Sequence, residues 1–350
     1  MVVLINNEIV KDVLVRKEVI ESIEIAFRQL GNGDATFFSR EDIVSPTTMG
    51  DYFAWGSMSG AMVDPPRLSL RFKSDVIRYV DKGGHLSEEK FNGTPGKFMG
   101  VILLFDTRDG SLLAIMNDGV IQHERVGATA AIACDHLSND DSKILGIIGS
   151  GGMARSYAMN ISEVRELEEI KVYSPTEENR ISFQREISEE LGVKVKAMKT
   201  PKGAVKEADI VATCTASQTP VFSQKWLEPG MTLIDVRSTE IDNRTIKEVD
   251  QIFSTTNKNH RVESIGGEGT EKYQLKRGKR GFIQTRYSTL SEIICKDEIG
   301  RKDKKETIYY HNRSAGIQFV AVGNLIYERA SELKLGEEIP MEWFQQSIRN

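Results

Sequence analysis

Gly149-Ser150-Gly151-Gly152-Met153-Ala154 lies between the apolar run 144–148 and a segment with helical spacing. A strand, a tight glycine turn and a helix start, in that order, make a pyrophosphate site. Gly149 permits the sharp turn, Gly151 lets the backbone approach phosphate oxygens, and Ala154 lets the helix pack closely on its strand. The N–H groups of a first helical turn have no intrahelical acceptor and face an anion. The plain alternative is a glycine turn that serves only chain geometry. Because both flanks are right, the sequence is read as a dinucleotide site with Gly149, Ser150, Gly151, Gly152 and Met153 at the phosphates.

In such a unit the adenosine ribose meets the end of the second strand, where a carboxylate favours a free 2′-hydroxyl and repels a 2′-phosphate. Here that strand ends in Tyr173-Ser174-Pro175-Thr176, with Arg180 a few residues on. Ser174 and Thr176 can donate to phosphate oxygens and Arg180 can add charge. The expectation is NADP(H) over NAD(H), against which stand Glu177 and Glu178 close by. Arg180 is open to a second reading, as a surface helix residue.

The elements around this turn alternate. Ile170–Tyr173, 193–197, 208–214 and 232–236 read as strands and 177–191 as a helix, which gives an α/β, doubly wound parallel sheet of the Rossmann type. Before it, residues 67–76, 100–105 and 111–116 read as strands, and 17–30 as an amphipathic helix ended by Gly31 and Gly33. Alternation along a strand points Arg71 and Lys73 the same way. Residues 125–137 are alanine-rich and helical, and 315–333 form another helix expected to return to the N-terminal part. The resulting division is a discontinuous α+β domain, 1–125 with 312–350, and a nucleotide-binding domain, 126–311. The polar stretch 257–286 reads as loop-rich, and its basic run Lys276–Arg280 as a solvated loop.

Composition narrows the partners. With 350 residues, 39% hydrophobic and 28% charged, the chain can bury a core larger than one compact domain. A net charge of -5 argues against a general nucleic-acid binder. The opening apolar stretch is too short for a signal peptide and no later run is long enough to cross a bilayer, so a cytoplasmic protein is expected. Three scattered cysteines fit reduced thiols, and five histidines without metal-ligand spacing give no zinc site.

Taken together, residues 100–116, Asp118-Gly119-Val120-Ile121-Gln122-His123-Glu124-Arg125-Val126-Gly127, the glycine turn, 208–211, Trp226-Leu227-Glu228-Pro229-Gly230, Gly300-Arg301 and Glu306-Thr307-Ile308-Tyr309 resemble the ornithine cyclodeaminase and mu-crystallin family. The resemblance covers most of the chain. It implies a homodimer whose first domain, completed by the C-terminal helix, supplies dimer contacts and most of the substrate pocket. It also implies hydride transfer at a carbon bearing nitrogen and a carboxylate. Arg125 matches the arginine that clamps the substrate carboxylate; its alternative is a structural ion pair. Arg40 resembles the second carboxylate-binding arginine. The pocket lysine matches either Arg71 or Lys73. Since a lysine gives up its proton readily when desolvated, Lys73 is assigned proton transfer and Arg71 charge.

Departures accompany the match. Met153 stands where many members have glutamine, Phe319 where many have aspartate, and Asp235 is the best candidate for the catalytic aspartate, at the C-terminal end of a strand. The function expected from these residues is NAD(P)H-dependent reduction of a cyclic imine or α-imino acid, a small carboxylate-bearing substrate, or the reverse oxidation. Two rivals are a cyclodeaminase that recycles NAD and a small-ligand-binding protein that keeps NADPH.

Overall fold

Alternating burial runs through two long antiparallel strands, Tyr52–Met62 and Arg67–Asp81, so that Arg71, Lys73, Asp75 and Ile77 share one buried face. In the computed structural model, which describes residues 1–48, 50–81, 86–264 and 286–348, these strands lie within an 11-stranded mixed sheet. Along its main path the strands are 261–264, 41–46, 52–62, 67–81, 99–106, 112–117, 2–5 and 337–339. Val2–Ile5 pairs parallel with Leu112–Asn117 and antiparallel with Glu337–Ile339, so the sheet is built from both ends of the chain. The helix Ile317–Glu332 packs against the helix Arg16–Asn32 and against strands 52–62 and 67–81.

The second sheet has eight strands in the order 194–197, 169–173, 144–148, 210–213, 232–235, 308–311, 251–254 and 288–289. Every pairing in it is parallel. Helices Gly152–Ile161, Glu177–Leu191 and Pro201–Val205 make the crossovers of the first half. Strand order reverses between 144–148 and 210–213, and ligands bind outside the strand ends at such a switch point. The structure is α/β with a Rossmann-type sheet, as the alternation predicts.

Two elements depart from the sequence reading. Arg261–Ser264, in the stretch expected to be loop-rich and within the span assigned to the nucleotide unit, pairs parallel with Glu41–Pro46 in the first sheet. Four residues are too few to display a period, and the partner edge supplies the order. Residues 265–285, including the basic run Lys276–Arg280, lie outside the described residues.

The alanine-rich helix is the other departure, because it spans Gly119–Leu137 and starts six residues before Arg125. Its entry is fixed by side chains: Gly119 N–H donates to Asn117 Oδ1 at 2.8 Å and Val120 N–H to Asn7 Oδ1 at 3.1 Å. Thirteen of its residues are buried, from Ile121 to Leu137. Arg125 therefore sits in the second turn of a helix buried on nearly all sides, between the two sheets.

Candidate active site

The cleft between the sheets encloses about 400 Å³ and draws its walls from both. Arg40, Arg71 and Lys73 come from the first sheet and its flank, Arg125 from the connecting helix, Met153 from the glycine-turn helix, and His311 from the second sheet. Of the site residues proposed from sequence, these five (Arg40, Arg71, Lys73, Arg125 and Met153) meet on one cavity.

Each cation on the first sheet is held by a carboxylate. Arg71 Nε donates to Asp118 Oδ2 at 2.5 Å, and Lys73 Nζ to Asp75 Oδ2 at 3.2 Å. Small residues on the flanking strands make room for these charges. A Cβ at Gly100 would overlap the Asp118 carboxylate, and one at Gly56 would overlap that of Asp42. Burial, reinforced by Lys90 and Arg40 nearby, pushes the Lys73 ammonium down to about 7. At neutral pH both its protonation states are populated.

Arg125 differs from these neighbours. It is 2% exposed, and its guanidinium donates to Ser314 Oγ and Gln318 Oε1, both at 2.8 Å, and to Gln122 Oε1 at 2.9 Å. All three acceptors are neutral, and Nε is buried with no hydrogen-bond partner among the described residues. Burial, then the Arg71 charge, lower it to about 9, which leaves it cationic at neutral pH. The Phe319 ring lies 4.8 Å from the Arg125 guanidinium carbon and 5.5 Å from that of Arg71. The ring's negative face attracts both cations without neutralising either. Arg71 thus pairs with Asp118, whereas the acceptors of Arg125 among the described residues are neutral.

Arg40 reaches the cleft already engaged. Its Nε and a terminal nitrogen bind Asp42 at 2.9 and 3.0 Å, and His260 Nε2 lies 3.0 Å from the same carboxylate. Arg40 stands just before the strand Glu41–Pro46, so the expected second carboxylate-binding arginine lines the cleft as a cation paired with Asp42.

Asp235 ends the strand 232–235 and is not among the residues that line the cleft. It is fully buried behind the cleft wall, where its carboxylate receives His311 Nδ1 at 2.7 Å, Tyr309 Oη at 2.6 Å and the Asn312 N–H at 3.2 Å. In-register pairing of Asp235 with His311 on the neighbouring parallel strand puts the two side chains on one face, where the carboxylate is engaged by the imidazole. His311 is the group that lines the cleft. Glu240 is a second buried carboxylate beneath this wall. It accepts from Thr215 N–H at 2.6 Å and from the N–H groups of Val236 and Arg237 at 3.1 and 2.9 Å. Burial pushes it up to about 7.

The glycine turn fits a dinucleotide. Gly149 has φ 117°, and a Cβ there would overlap the Cys214 carbonyl oxygen, so the turn demands glycine. A Cβ at Gly151 would meet nothing within 4 Å, which leaves open space at the N-terminus of the helix Gly152–Ile161. Arg155 anchors the turn by donating to the Ser150 carbonyl and pairing with Glu186 at 2.6 Å. At the second strand end, Ser174 Oγ donates to the Thr176 carbonyl at 3.0 Å. Arg180 donates to the Ser174 carbonyl at 3.1 Å and lies 3.5 Å from Glu177. Ser174 and Arg180 thus first satisfy the loop's own carbonyls.

Sequence reading missed His311, Asp118, Asp75, Ser314 and Gln318. Period two could have paired Asp75 with Lys73. Nothing local announces His311, whose partner is 76 residues away.

The sequence profile of the ornithine cyclodeaminase/mu-crystallin family matches residues 1–334. Delta(1)-pyrroline-2-carboxylate reductase of Bacillus cereus is 27% identical over 271 residues, 75% of this chain and 79% of the relative. The same-named enzyme of Thermococcus litoralis, solved in complex with NADH and L-proline, superposes with a TM-score of 0.77 at 25% identity, over 96% of this chain and 100% of that one. An archaeal alanine dehydrogenase dimer with bound NAD shares the fold, with a TM-score of 0.78 at 21% identity over 97% and 99% of the two chains.

Proposed function

This chain belongs to the ornithine cyclodeaminase/mu-crystallin family, and from that premise we propose that it is a nicotinamide-dependent oxidoreductase acting on a carboxylate-bearing imine. The substrate is a cyclic imine or an α-imino acid, reduced at its C=N carbon, or the matching amino acid oxidised in reverse. One observation carries the reading: Arg125 is a buried cleft cation whose acceptors among the described residues are all neutral. A carboxylate would provide the missing charge in two-pronged geometry. Arg71 adds positive potential beside it. Lys73 is the proton donor or relay, since a group near 7 exchanges protons readily at neutral pH.

The residues of the glycine turn, Gly149 to Met153, fit the pyrophosphate of a nicotinamide nucleotide, which when bound supplies the hydride. NADP(H) is favoured over NAD(H), because Ser174, Pro175 and Thr176 place no carboxylate at the strand end and Arg180 lies beside them. Met153 lines the cleft from the turn. A homodimer is proposed from the dimeric fold neighbour. A cytoplasmic setting is proposed from the free thiols Cys134, Cys214 and Cys295; no helix among the described residues is long and apolar enough to cross a membrane.

The test is absorbance of reduced nicotinamide with Δ1-pyrroline-2-carboxylate and a panel of α-imino acids. Stoichiometric loss of NADPH or NADH is expected. Conversion of ornithine without net cofactor consumption would replace this reading with a cyclodeaminase, and cofactor binding with no turnover on any substrate would replace it with a ligand-binding protein. The cofactor preference is checked by dissociation constants for NADPH and NADH: Arg180→Ala should lower the preference for NADPH, and an unchanged ratio refutes the role of Arg180.

A further inference from the structure

Converting an imine into an ammonium product takes up one hydride and two protons, one before hydride transfer and one after. Lys73, on the first sheet, accounts for a single proton. The second sheet offers another titratable pair at the same cleft. Asp235 and His311 end neighbouring parallel strands in register, and the carboxylate lies 2.7 and 3.0 Å from Nδ1 through its two oxygens. Tyr309 Oη at 2.6 Å and the Asn312 N–H at 3.2 Å fix the carboxylate from two further directions. Tyr309 also stacks on the imidazole, with centroids 6.3 Å apart. A carboxylate acceptor selects the Nδ1–H tautomer, and this leaves Nε2 as the nitrogen for proton exchange.

Building on the imine-reductase reading, we propose that His311 is a second catalytic proton carrier and Asp235 its positioning residue. In reduction, Lys73 protonates the imine nitrogen and hydride arrives at carbon from reduced nicotinamide. The amine lone pair so restored then takes the Nε2 proton of His311. The N–H bond forms as Nε2–H breaks, and the neutral imidazole regains its proton from solvent. In oxidation, neutral His311 strips the ammonium proton and so frees the lone pair that expels hydride. The charged and titratable groups around the pair are Tyr309, Tyr310, Arg313, Tyr157, Cys214 and Glu240.

The experiment measures L-proline oxidation by the full-length protein with oxidised nicotinamide nucleotide across pH. Wild-type kcat/KM should rise with pH, because both proton acceptors, His311 and Lys73, must be unprotonated for oxidation. His311→Gln should leave only the part of that rise that Lys73 sets and lose about 10²- to 10⁴-fold in kcat, with KM within threefold. Imidazole in the buffer should restore part of the activity of His311→Ala. Asp235→Asn should lower kcat with KM held, because the imidazole loses the acceptor that fixes its Nδ1–H tautomer. An unchanged profile in His311→Gln overturns the proposal. If wild type turns over neither L-proline nor any imine or α-imino acid of the panel, the functional reading fails and this proposal falls with it, whereas an unchanged profile in an active His311→Gln refutes the proposal alone.

Discussion

Replacing Arg125 with methionine separates binding from folding. A two-pronged carboxylate contact comprises two charge-assisted hydrogen bonds, each contributing about 1.5–3 kcal/mol. Losing both amounts to about 3–6 kcal/mol, or roughly 10²- to 10⁴-fold in kcat/KM. Arg71 lies against the same Phe319 ring and retains part of the potential, so the lower half of that range is expected. Folding should respond weakly. Gln318 Oε1 still accepts the Ala315 N–H at 2.9 Å and its amide still donates to Thr129 at 2.6 Å. Ser314 and Gln122 line the cleft and can turn to water. Removing a guanidinium that burial already disfavours offsets much of what the lost bonds contributed, and the net change should stay within about 2 kcal/mol. The assay pairs steady-state kinetics on Δ1-pyrroline-2-carboxylate with a thermal melt and a cofactor Kd. A fall of less than tenfold in kcat/KM, with the melt and Kd unchanged, refutes the placement of the substrate carboxylate.

Lys73 gives a pH dependence with a definite sign. As donor it must be protonated, so reductive kcat/KM should fall as pH rises through about 7, and the falling limb that remains in His311→Gln should be abolished when Lys73→Met is added; a limb that persists in that double variant assigns it elsewhere. The same shift acts on stability, because a lysine at about 7 when folded and near 10.5 when unfolded makes the unfolded chain bind more protons between those values. Stability without ligand should therefore rise with pH across that window, and chemical denaturation of Lys73→Met should lack the rise. Gly149→Ala should abolish nucleotide binding in a fluorescence titration, since φ 117° and the Cys214 carbonyl both exclude a Cβ. In Gly323→Ala the new methyl would sit 3.8 to 4.0 Å from Ile102, Leu104 and Met116 in the middle of the helix Ile317–Glu332. It should raise stability by up to about 1 kcal/mol, whereas Gly100→Ala should lower both Tm and activity by displacing Asp118 from Arg71.

Local pattern sufficed wherever one segment carries its own period. The strand 144–148 and the helix 177–191 have the bounds read from sequence. Arg71 and Lys73 share a face because a strand repeats every two residues, and the glycine turn is legible because its flanks are contiguous with it. Tertiary structure decided what depends on register between distant segments. The sequence reading has no term for strand Arg261–Ser264 pairing with Glu41–Pro46, for a helix entry set by Asn7, or for Asp235 facing His311. These pairings join residues tens to hundreds of positions apart, and they are held by hydrogen bonds and ion pairs that form only when the distant segments meet. Each side chain's own neighbours in the chain say nothing of that. Hence the sequence alone established a dinucleotide fold with cations on a strand. Which cations are paired with carboxylates, and that Arg125 meets only neutral acceptors among the described residues, was settled only when the sheets closed on each other.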